Sequence, residues 1–307
     1  MITAVDCSIV RFDRSVMLPE FFIYYSQSKA YLNDVEAVCS GTTRKRISRK
    51  NLGNIVTPTP PLEEQKRIVA VLDAAFEGLD RARAHTEANL QNARDLFESI
   101  RKFTLTQGSE DWRQCLLDDV CLVDRGSSPR PIKKYRTDSK DGVNWVKIGD
   151  TKVGSKYVTG TKERITREGA EKSRKVEVGD FILTNSMTYG RPYIMKIEGY
   201  IHDGWFVLRL ADDINGDYFF HLLSSEVVQE QFRELAAGAV VKNISGDLVK
   251  KTKLSIPPLD EQEKISALLD KRSQKIDDVN AHYQSKLTDL EELRQSLLQK
   301  AFAGELT

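Results

Sequence analysis

The chain has 307 residues, 40% of them hydrophobic and 30% charged, which is long enough for two domains. Its 46 Lys and Arg against 45 Asp and Glu leave a net charge of +1, which excludes a uniformly basic nucleic-acid coat but leaves room for a local basic face. No apolar run approaches the roughly 20 residues needed to span a bilayer, and neither a signal peptide nor a disulfide-scaffold spacing of the four cysteines is present. We therefore expect a cytoplasmic protein without a membrane partner.

The first 57 residues are explained by an internal repeat. Residues 58–73 (PTPPLEEQKRIVAVLD) match residues 255–270 (SIPPLDEQEKISALLD) at an offset of 197 residues, with nine of the sixteen positions identical. The second copy begins at about residue 111, which maps to position −86 at this offset (111 − 197). We therefore expect residues 1–57 to be the closing third of a domain that lacks the counterpart of about 86 residues.

Each copy ends in a segment whose apolar residues recur every seven positions, at 58–107 and 258–307. Heptads sustained over about four repeats predict coiled-coil helices, each of about 44 residues and roughly 66 Å. An interleaved apolar row includes Ile265, Val279 and Leu293. Two helices joined through a globular domain are expected to pair antiparallel, through a seam of Leu72, Leu79, Ala93, Ile100, Leu269, Ile276, Tyr283, Leu290 and Leu297.

The region between the helices, residues 111–257, mixes short strand-like runs with turn-rich stretches. Runs at 143–148, 181–183 and 206–210 predict strands, and apolar residues at helical spacing predict a helix over 218–235. The whole chain is thus predicted to be α+β: a globular mixed α/β domain flanked by two long helices in an antiparallel coiled coil, with a partial second domain at the N-terminus.

Charge is unevenly distributed in this region. Residues 122–191 contain 16 Lys and Arg against 9 Asp and Glu, and the Gly-, Ser- and Pro-rich stretch 125–136 is a basic loop. Lys and Arg neutralise phosphates, and Arg and Asn pair with base edges, so such loops suit DNA, although a merely solvated loop is the alternative interpretation. The candidate DNA-binding residues are Arg125, Ser127, Arg130, Lys133, Lys134, Arg136, Lys147, Lys152, Lys156, Asn185, Tyr189, Arg191, Lys242 and Asn243.

A search for catalytic and metal-binding motifs is negative. The four histidines are scattered, none lies near a cysteine at metal-ligand spacing, and neither G-x-S-x-G nor H-E-x-x-H occurs. Residues 149–156 nearly imitate a phosphate-binding P-loop, but Ser155 and Lys156 stand in the reverse order. We therefore expect no catalytic residue, no metal site and no bound cofactor in this chain.

A globular domain, then Pro-Pro-Leu-acid-Glu-Gln and a long helix, in two copies, resembles the specificity subunit of type I restriction–modification systems. The motif stands at residues 60–65 and 257–262, and within the domain the segments 126–129, 145–150 and 179–183 look like the family's opening loop, second strand and Gly-Asp turn. The resemblance covers essentially the whole chain. It divides the chain into a truncated recognition-domain remnant (1–57), a first spacer helix (58–107), a complete target-recognition domain (111–257) and a second spacer helix (258–307).

The resemblance implies a mechanism. Each recognition domain reads one half of a bipartite target in double-stranded DNA, and the paired helices set the spacing and dock two adenine-N6 methyltransferase subunits. Those subunits use S-adenosylmethionine, and the restriction and translocase subunits that join the complex use ATP and Mg²⁺. The specificity subunit itself catalyses nothing.

This chain departs from the family pattern in the shortness of its first recognition domain. We expect a naturally shortened or split specificity subunit with one working domain, two copies of which pair through their helices into a homodimer that reads a palindromic bipartite site. Two alternatives belong to other classes. One is a decoy or silent recombination donor that binds methyltransferase subunits without reading DNA, and the other is a cryptic enzyme, which the negative motif search disfavours.

Overall fold

The computed structural model describes residues 8–42, 44–108, 111–152, 154–185, 190–237 and 244–306. The part up to residue 108 is helical, with α1 (Pro19–Ser26), α2 (Lys29–Ala37), α3 (Arg49–Gly53) and the long α4 (Leu62–Thr106). The strands that follow are β1 (Arg113–Leu116), β2 (Cys121–Arg125), β3 (Val143–Val146), β4 (Tyr157–Val158), β5 (Glu163–Ile165), β6 (Arg174–Val176), β7 (Phe181–Thr184), β8 (Pro192–Met195), β9 (Gly199–Ile201), β10 (Trp205–Leu210) and β11 (Lys253–Ile256). The remaining helices are α5 (Ile132–Tyr135), α6 (Arg167–Ala170), α7 (Gly216–Ser224), α8 (Glu226–Ala237), α9 (Gly246–Lys250) and the long α10 (Leu259–Ala303).

The two long helices confirm the predicted pair of spacer helices. Each has 45 residues, each follows a Pro-Pro pair, and each has two acidic residues in its first turn, where the helix dipole favours negative charge. They also begin and end 197 positions apart, so the repeat extends to the helix bounds. Residue contacts divide the chain into a first unit, residues 1–93 and 277–307, and a second unit, residues 94–276, and each long helix contributes to both.

In the first unit α4 packs antiparallel against the end of α10. Asp80 pairs with Arg294 at 2.9 Å and Arg83 with Glu291 at 3.8 Å, so the residue numbers rise along one helix as they fall along the other. The core between the two helices and α1 contains Met17, Phe21, Ile68, Leu72, Phe76, Leu298 and Ala301, with Leu79 and Leu297 partly buried against it.

In the second unit two sheets pack face to face. A five-stranded sheet has the order β2-β10-β7-β8-β4, a four-stranded sheet has the order β5-β3-β9-β6, and β1 pairs with β11 separately. Side chains from both larger sheets, including Ile182, Val207 and Trp205 from one and Val146 and Ile201 from the other, form the apolar layer between them.

The other face of the five-stranded sheet is covered by helices. Phe181, Leu183, Phe206 and Leu208 point into a core shared with α7 and α8 and with Leu105, Ile265 and Leu269 of the long helices. The predicted seam residues Ile100 and Leu269 lie in this core, Ile100 only partly buried. The recognition-type domain therefore rests on the long helices through α7 and α8 rather than through a strand.

Repeated hydrogen bonds anchor each copy to its long helix. The Gln65 side chain accepts from Leu18 N at 2.8 Å and donates to Val16 O and Pro60 O, both at 2.8 Å. Gln262 accepts from Asn215 N at 2.8 Å and donates to Asp213 O at 3.0 Å and Pro257 O at 2.9 Å. All of these positions differ by 197, so the glutamine of the Pro-Pro-Leu-acid-Glu-Gln motif performs one structural role twice.

Three predictions require correction. The predicted helix over 218–235 is two helices, because the Ser225 backbone is extended between α7 and α8. The strand-like run at residues 8–12 forms no strand, and its side chains at Ile9 and Val10 are 59% and 52% exposed. The interleaved row also differs, because Val279 and Leu293 are exposed while Leu298 and Ala301 are buried. A helix of 3.6 residues per turn drifts from a strict seven-residue row by about 20° per heptad, so the buried stripe shifts along it.

Candidate nucleic-acid interface

Four of the sequence-predicted residues or their neighbours converge on one acidic turn. The Asp203 carboxylate accepts hydrogen bonds from Ser128 Oγ at 2.5 Å and from the Arg130 guanidinium at 3.2 Å. The Asp203 backbone carbonyl accepts from Asn185 Nδ2 at 2.6 Å and from Arg125 Nε at 3.3 Å. We call residues 202–204 the Asp203 turn. It joins the basic loop after β2 to the residue that follows β7.

The charge of Asp203 is maintained by its partners. The Ser128 hydroxyl lowers the pKa of this carboxyl most, and the Arg130 guanidinium lowers it further, against the opposing effect of partial burial. Arg130 itself is 74% exposed, so the pair leaves most of the guanidinium accessible. A half-neutralised, exposed arginine of this kind is available to a phosphate or a guanine edge.

The backbone holds the basic loop tightly to the Asp203 turn. Gly126 N donates to Trp205 O at 2.8 Å, and Ser127 N donates to Ile201 O at 3.3 Å. A Cβ at Gly126 would lie 2.1 Å from the His202 carbonyl oxygen, so only glycine allows this approach. The loop therefore leaves β2 along a fixed path.

The turn itself is held by the ring of His202. Gly204 N donates to His202 Nδ1 at 2.8 Å, and the imidazole lies between Trp145 and Trp205, with ring centroids 6.1 and 6.2 Å away. Burial lowers the pKa of His202, because the charged imidazolium is poorly solvated there. Asn185 extends the arrangement further, since its backbone N donates to Gly204 O at 3.0 Å and its carbonyl accepts from Ile244 N at 3.1 Å.

Other basic residues of the loop lie beside this turn. Ser127 Oγ donates to Lys172 O at 3.2 Å, and Arg174 Nε donates to Arg125 O at 3.4 Å. Lys172 Nζ also donates to Tyr135 Oη at 2.6 Å and lies 4.6 Å from the centre of the Tyr135 ring. Lys133 and Lys134 belong to the short helix α5 of the same loop.

The structure places the remaining candidate residues elsewhere. Arg136 and Lys147 both pair with Glu163, at 3.0 and 2.7 Å. Lys152 is exposed, and Arg191 lies beyond β7, where its backbone N donates to Thr184 Oγ1 at 3.0 Å. Tyr189, Lys242 and Asn243 lie outside the described residues.

Lys156 is the candidate whose surroundings differ most from the expected DNA face. Its ammonium pairs with Asp217 of α7 at 2.7 Å and with Asp270 of α10 at 3.1 Å, and its side chain is only 17% exposed. His221 Nε2 donates to the same Asp270 oxygen at 2.7 Å. Lys156 therefore ties the sheet to α7 and α10, a role that its position in a basic stretch of sequence did not indicate.

The predicted seam residues fall into both units. Leu72 is fully buried, Leu79 and Leu297 are partly buried in the first unit, and Leu269 is fully buried in the second. Ala93, Ile100, Ile276, Tyr283 and Leu290 are half-buried on the long helices.

Sequence reasoning missed Asp203, His202, Lys172 and Arg174. A signal for the turn was present, because Asp203-Gly204 between two apolar runs is a typical turn dipeptide. No spacing pattern, however, connects Asp203 to Ser128, 75 residues earlier. Among the described residues no three His, Cys, Asp or Glu side chains are placed to hold a metal, and no helix there is both long and apolar enough to cross a bilayer.

Comparisons with known proteins agree with this architecture. The family described as type I restriction modification DNA specificity domain matches residues 8–90 and 109–288. The type I restriction enzyme EcoBI specificity subunit of Escherichia coli is 24% identical over 311 residues, 92% of this chain and 65% of that protein. A putative type I restriction enzyme specificity subunit of Haemophilus influenzae, S.HindORF215P, is 27% identical over 81% of this chain and 63% of its own length. The chain thus spans about two thirds of the length of these relatives.

Solved structures show the same fold. A chain from a study of complex assembly and conformational transition in the type I R-M system superposes with a TM-score of 0.83 at 23% identity, covering 97% of this chain and 74% of that one. The HsdS subunit from Thermoanaerobacter tengcongensis has a TM-score of 0.57 at 23% identity, over 97% and 73% of the two chains. The twin long helices, the repeated glutamine anchors and the family match over most of the chain together establish that the protein belongs to the type I restriction–modification DNA specificity family.

Proposed function

We propose that residues 111–257 read one half of a bipartite target in double-stranded DNA. The observation that carries this proposal is the Asp203 turn, which gathers Arg125, Arg130 and Asn185 from loops far apart in the sequence. Phosphates need cationic partners, and base edges need bidentate donors, and this cluster offers both kinds of group. The rigid sandwich beneath it gives the cluster a defined geometry.

We further propose that α4 and α10 form the spacer that carries methyltransferase subunits. The two helices have equal length, and each is bound to its own recognition copy through one glutamine. In this proposal the chain catalyses nothing and binds no cofactor. The methyltransferase subunits use S-adenosylmethionine and the restriction and translocase subunits use ATP and Mg²⁺, all within the cytoplasm.

The direct test uses the full chain purified with its methyltransferase subunits. Fragments of genomic DNA captured by this complex should share one sequence motif, and the motif should disappear when Arg130 and Asn185 are replaced by alanine. Binding of all fragments alike, with the same affinity in the variant, would contradict DNA reading.

A decoy that binds methyltransferase subunits without reading DNA is the second candidate function. The exposed side chains of Ile9 and Val10 favour it, since the first copy has no strands among its described residues and offers no sandwich to support a reading loop. The decoy predicts normal methyltransferase binding together with DNA capture that has no shared motif.

A homodimer through the helices is a further part of the proposal. The inward faces of the helices in the first unit already pack within the chain, so a second copy would have to use the outward face. Val279 and Leu293 lie there, 38% and 48% exposed. Light-scattering mass of the full chain at several concentrations tests this directly, and a monomer mass that also persists in Val279→Lys and Leu293→Lys variants would contradict it.

A further inference from the structure

The first unit contains two acidic residues at positions where the second unit binds a lysine. Asp217 and Asp270 both pair with Lys156, at 2.7 and 3.1 Å. At the offset of 197, their counterparts are Glu20 of α1 and Asp73 of α4. Both counterparts are exposed, and neither has an ion-pair partner among the residues that the structure describes.

The framework around these acids is the same in both units. Gln65 binds the start of α1 as Gln262 binds the start of α7. Tyr24 Oη donates to Asp73, and its counterpart His221 donates to Asp270. Because α1 and α4 are tied together at the same two points as α7 and α10, Glu20 and Asp73 are held as a pair in the way that Asp217 and Asp270 are.

The neighbouring cation of the first unit is already committed. Arg294 lies 4.1 Å from the centre of the Phe76 ring and pairs with Asp80 at 2.9 Å. The acids at positions 20 and 73 therefore lack the counterion that Lys156 supplies in the second unit.

An unpaired strand position accompanies the acidic pair. Ile9 and Val10 correspond to Phe206 and Val207, which are buried in β10 and hydrogen-bonded between β2 and β7. Residues 56–59 correspond to β11, which pairs with β1. In the first unit both segments lack strand partners among the described residues, so apolar side chains and backbone groups that are satisfied in one copy remain exposed in the other.

We propose that Ile9, Val10, Glu20, Asp73 and residues 56–59 form an acceptor surface for a strand-forming polypeptide segment of the kind found at residues 111–196. The segment supplies strands beside residues 8–12 and 56–59, and a lysine between Glu20 and Asp73. It is carried on a separate chain, because residues 111–196 of this chain, and of any second copy, are already bound to residues 197–257 of their own domain. This inference concerns protein–protein contact and stands whether or not residues 111–257 read DNA.

The test co-expresses the tagged full chain with a polypeptide of residues 111–197 as the probe. We expect the probe to co-purify at one per chain, and amide exchange at residues 8–13 and 56–59 to slow at least tenfold in the complex. Because Glu20 and Asp73 are exposed, Glu20→Gln with Asp73→Asn should leave the fold of the chain unchanged and weaken probe binding at least tenfold. Lys156→Ala in the probe alone should do the same.

Matched controls separate this surface from the site already filled in the second unit. Glu77→Gln, an exposed acid on α4, should not affect binding. The proposal is overturned if the probe does not bind, or if binding and exchange protection survive in the Glu20→Gln, Asp73→Asn chain, because the probe would then be exchanging into the domain at Asp217 and Asp270. Self-association of two full chains that depends on Glu20 and Asp73, without the probe, would equally overturn it.

Discussion

Gln65 and Gln262 form the same three hydrogen bonds, each with a backbone N–H at the start of a recognition-domain helix and with two backbone carbonyls. Both amides are buried, so their donors and acceptor replace water for groups that the fold has removed from it. One side chain thus fixes the angle between a recognition copy and its long helix. This relationship accounts for the glutamine in both copies of the Pro-Pro-Leu-acid-Glu-Gln motif.

Replacing Gln262 by leucine should therefore destabilise the second unit strongly. The change leaves Asn215 N and the Asp213 carbonyl buried without a partner, which costs about 1–3 kcal/mol for each group. Urea unfolding of the full chain measures the loss. Gln284→Leu, at an exposed position on α10, is the control and should change the free energy of unfolding by less than about 0.5 kcal/mol. Equal stabilities of the two variants would contradict the anchoring role.

Gly126→Ala should displace the basic loop from the Asp203 turn. The added Cβ would meet the His202 carbonyl at 2.1 Å, a backbone contact that cannot be relieved by a side-chain rotation. We expect a loss of stability of about 1–3 kcal/mol together with weaker DNA binding. Gly149→Ala is the matched control, because a Cβ there meets nothing within 4 Å. A Gly126→Ala protein with unchanged thermal unfolding and unchanged DNA affinity would exclude the described loop path.

Arg130→Ala and Lys134→Ala should each weaken DNA binding and flatten its dependence on salt. A residue that neutralises one phosphate contributes about one unit to the slope of log affinity against log salt concentration. Lys264→Ala, an exposed lysine on α10, should leave the slope unchanged. An unchanged slope in the Arg130 and Lys134 variants would identify the loop as solvated surface.

The opposite change at Asp203 separates charge from geometry. Asp203→Asn removes a negative charge beside the DNA face, so binding to unrelated DNA should become tighter. At the same time it weakens the contacts to Ser128 and Arg130, so discrimination between target and unrelated DNA should fall. If both affinities rise by the same factor, Asp203 acts through its charge alone.

The sequence predicted the elements that depend on local pattern and missed those that depend on convergence. Heptad spacing and the repeated motif predicted both long helices and their antiparallel pairing, and charge predicted the basic loop. The break at Ser225 was missed because the apolar spacing of α7 continues into α8 with only one residue between them. Lys156 was grouped with the DNA-facing lysines because charge along a sequence does not show which acids, such as Asp270 on a helix 114 residues away, will lie beside it.

Stability should fall as the pH decreases through about 6.5, the ordinary pKa of histidine. Burial lowers the pKa of His221 despite its bond to Asp270, and Lys156 and Arg101 also disfavour its protonation. The unfolded chain therefore takes up the proton first, and the folded state loses stability progressively below that pH until His221 itself titrates. His202 contributes in the same direction.

His221→Gln tests the assignment, because glutamine can donate to Asp270 but does not titrate. The midpoint of thermal unfolding should fall less between pH 7.5 and pH 5.5 in this variant than in the wild type, while the two should differ little in slope above pH 7.5. A variant with the same pH dependence as the wild type would assign the effect to other groups.

The central claim is that residues 111–257 direct modification to one DNA half-site. Genome-wide mapping of N6-methyladenine in cells that express this chain with its methyltransferase subunits tests it most directly. The account predicts one methylated bipartite motif with two identical, inverted halves, lost when Arg130 and Asn185 are replaced by alanine. Methylation at an asymmetric bipartite motif by this chain alone, or a motif unaffected by those replacements, would contradict it.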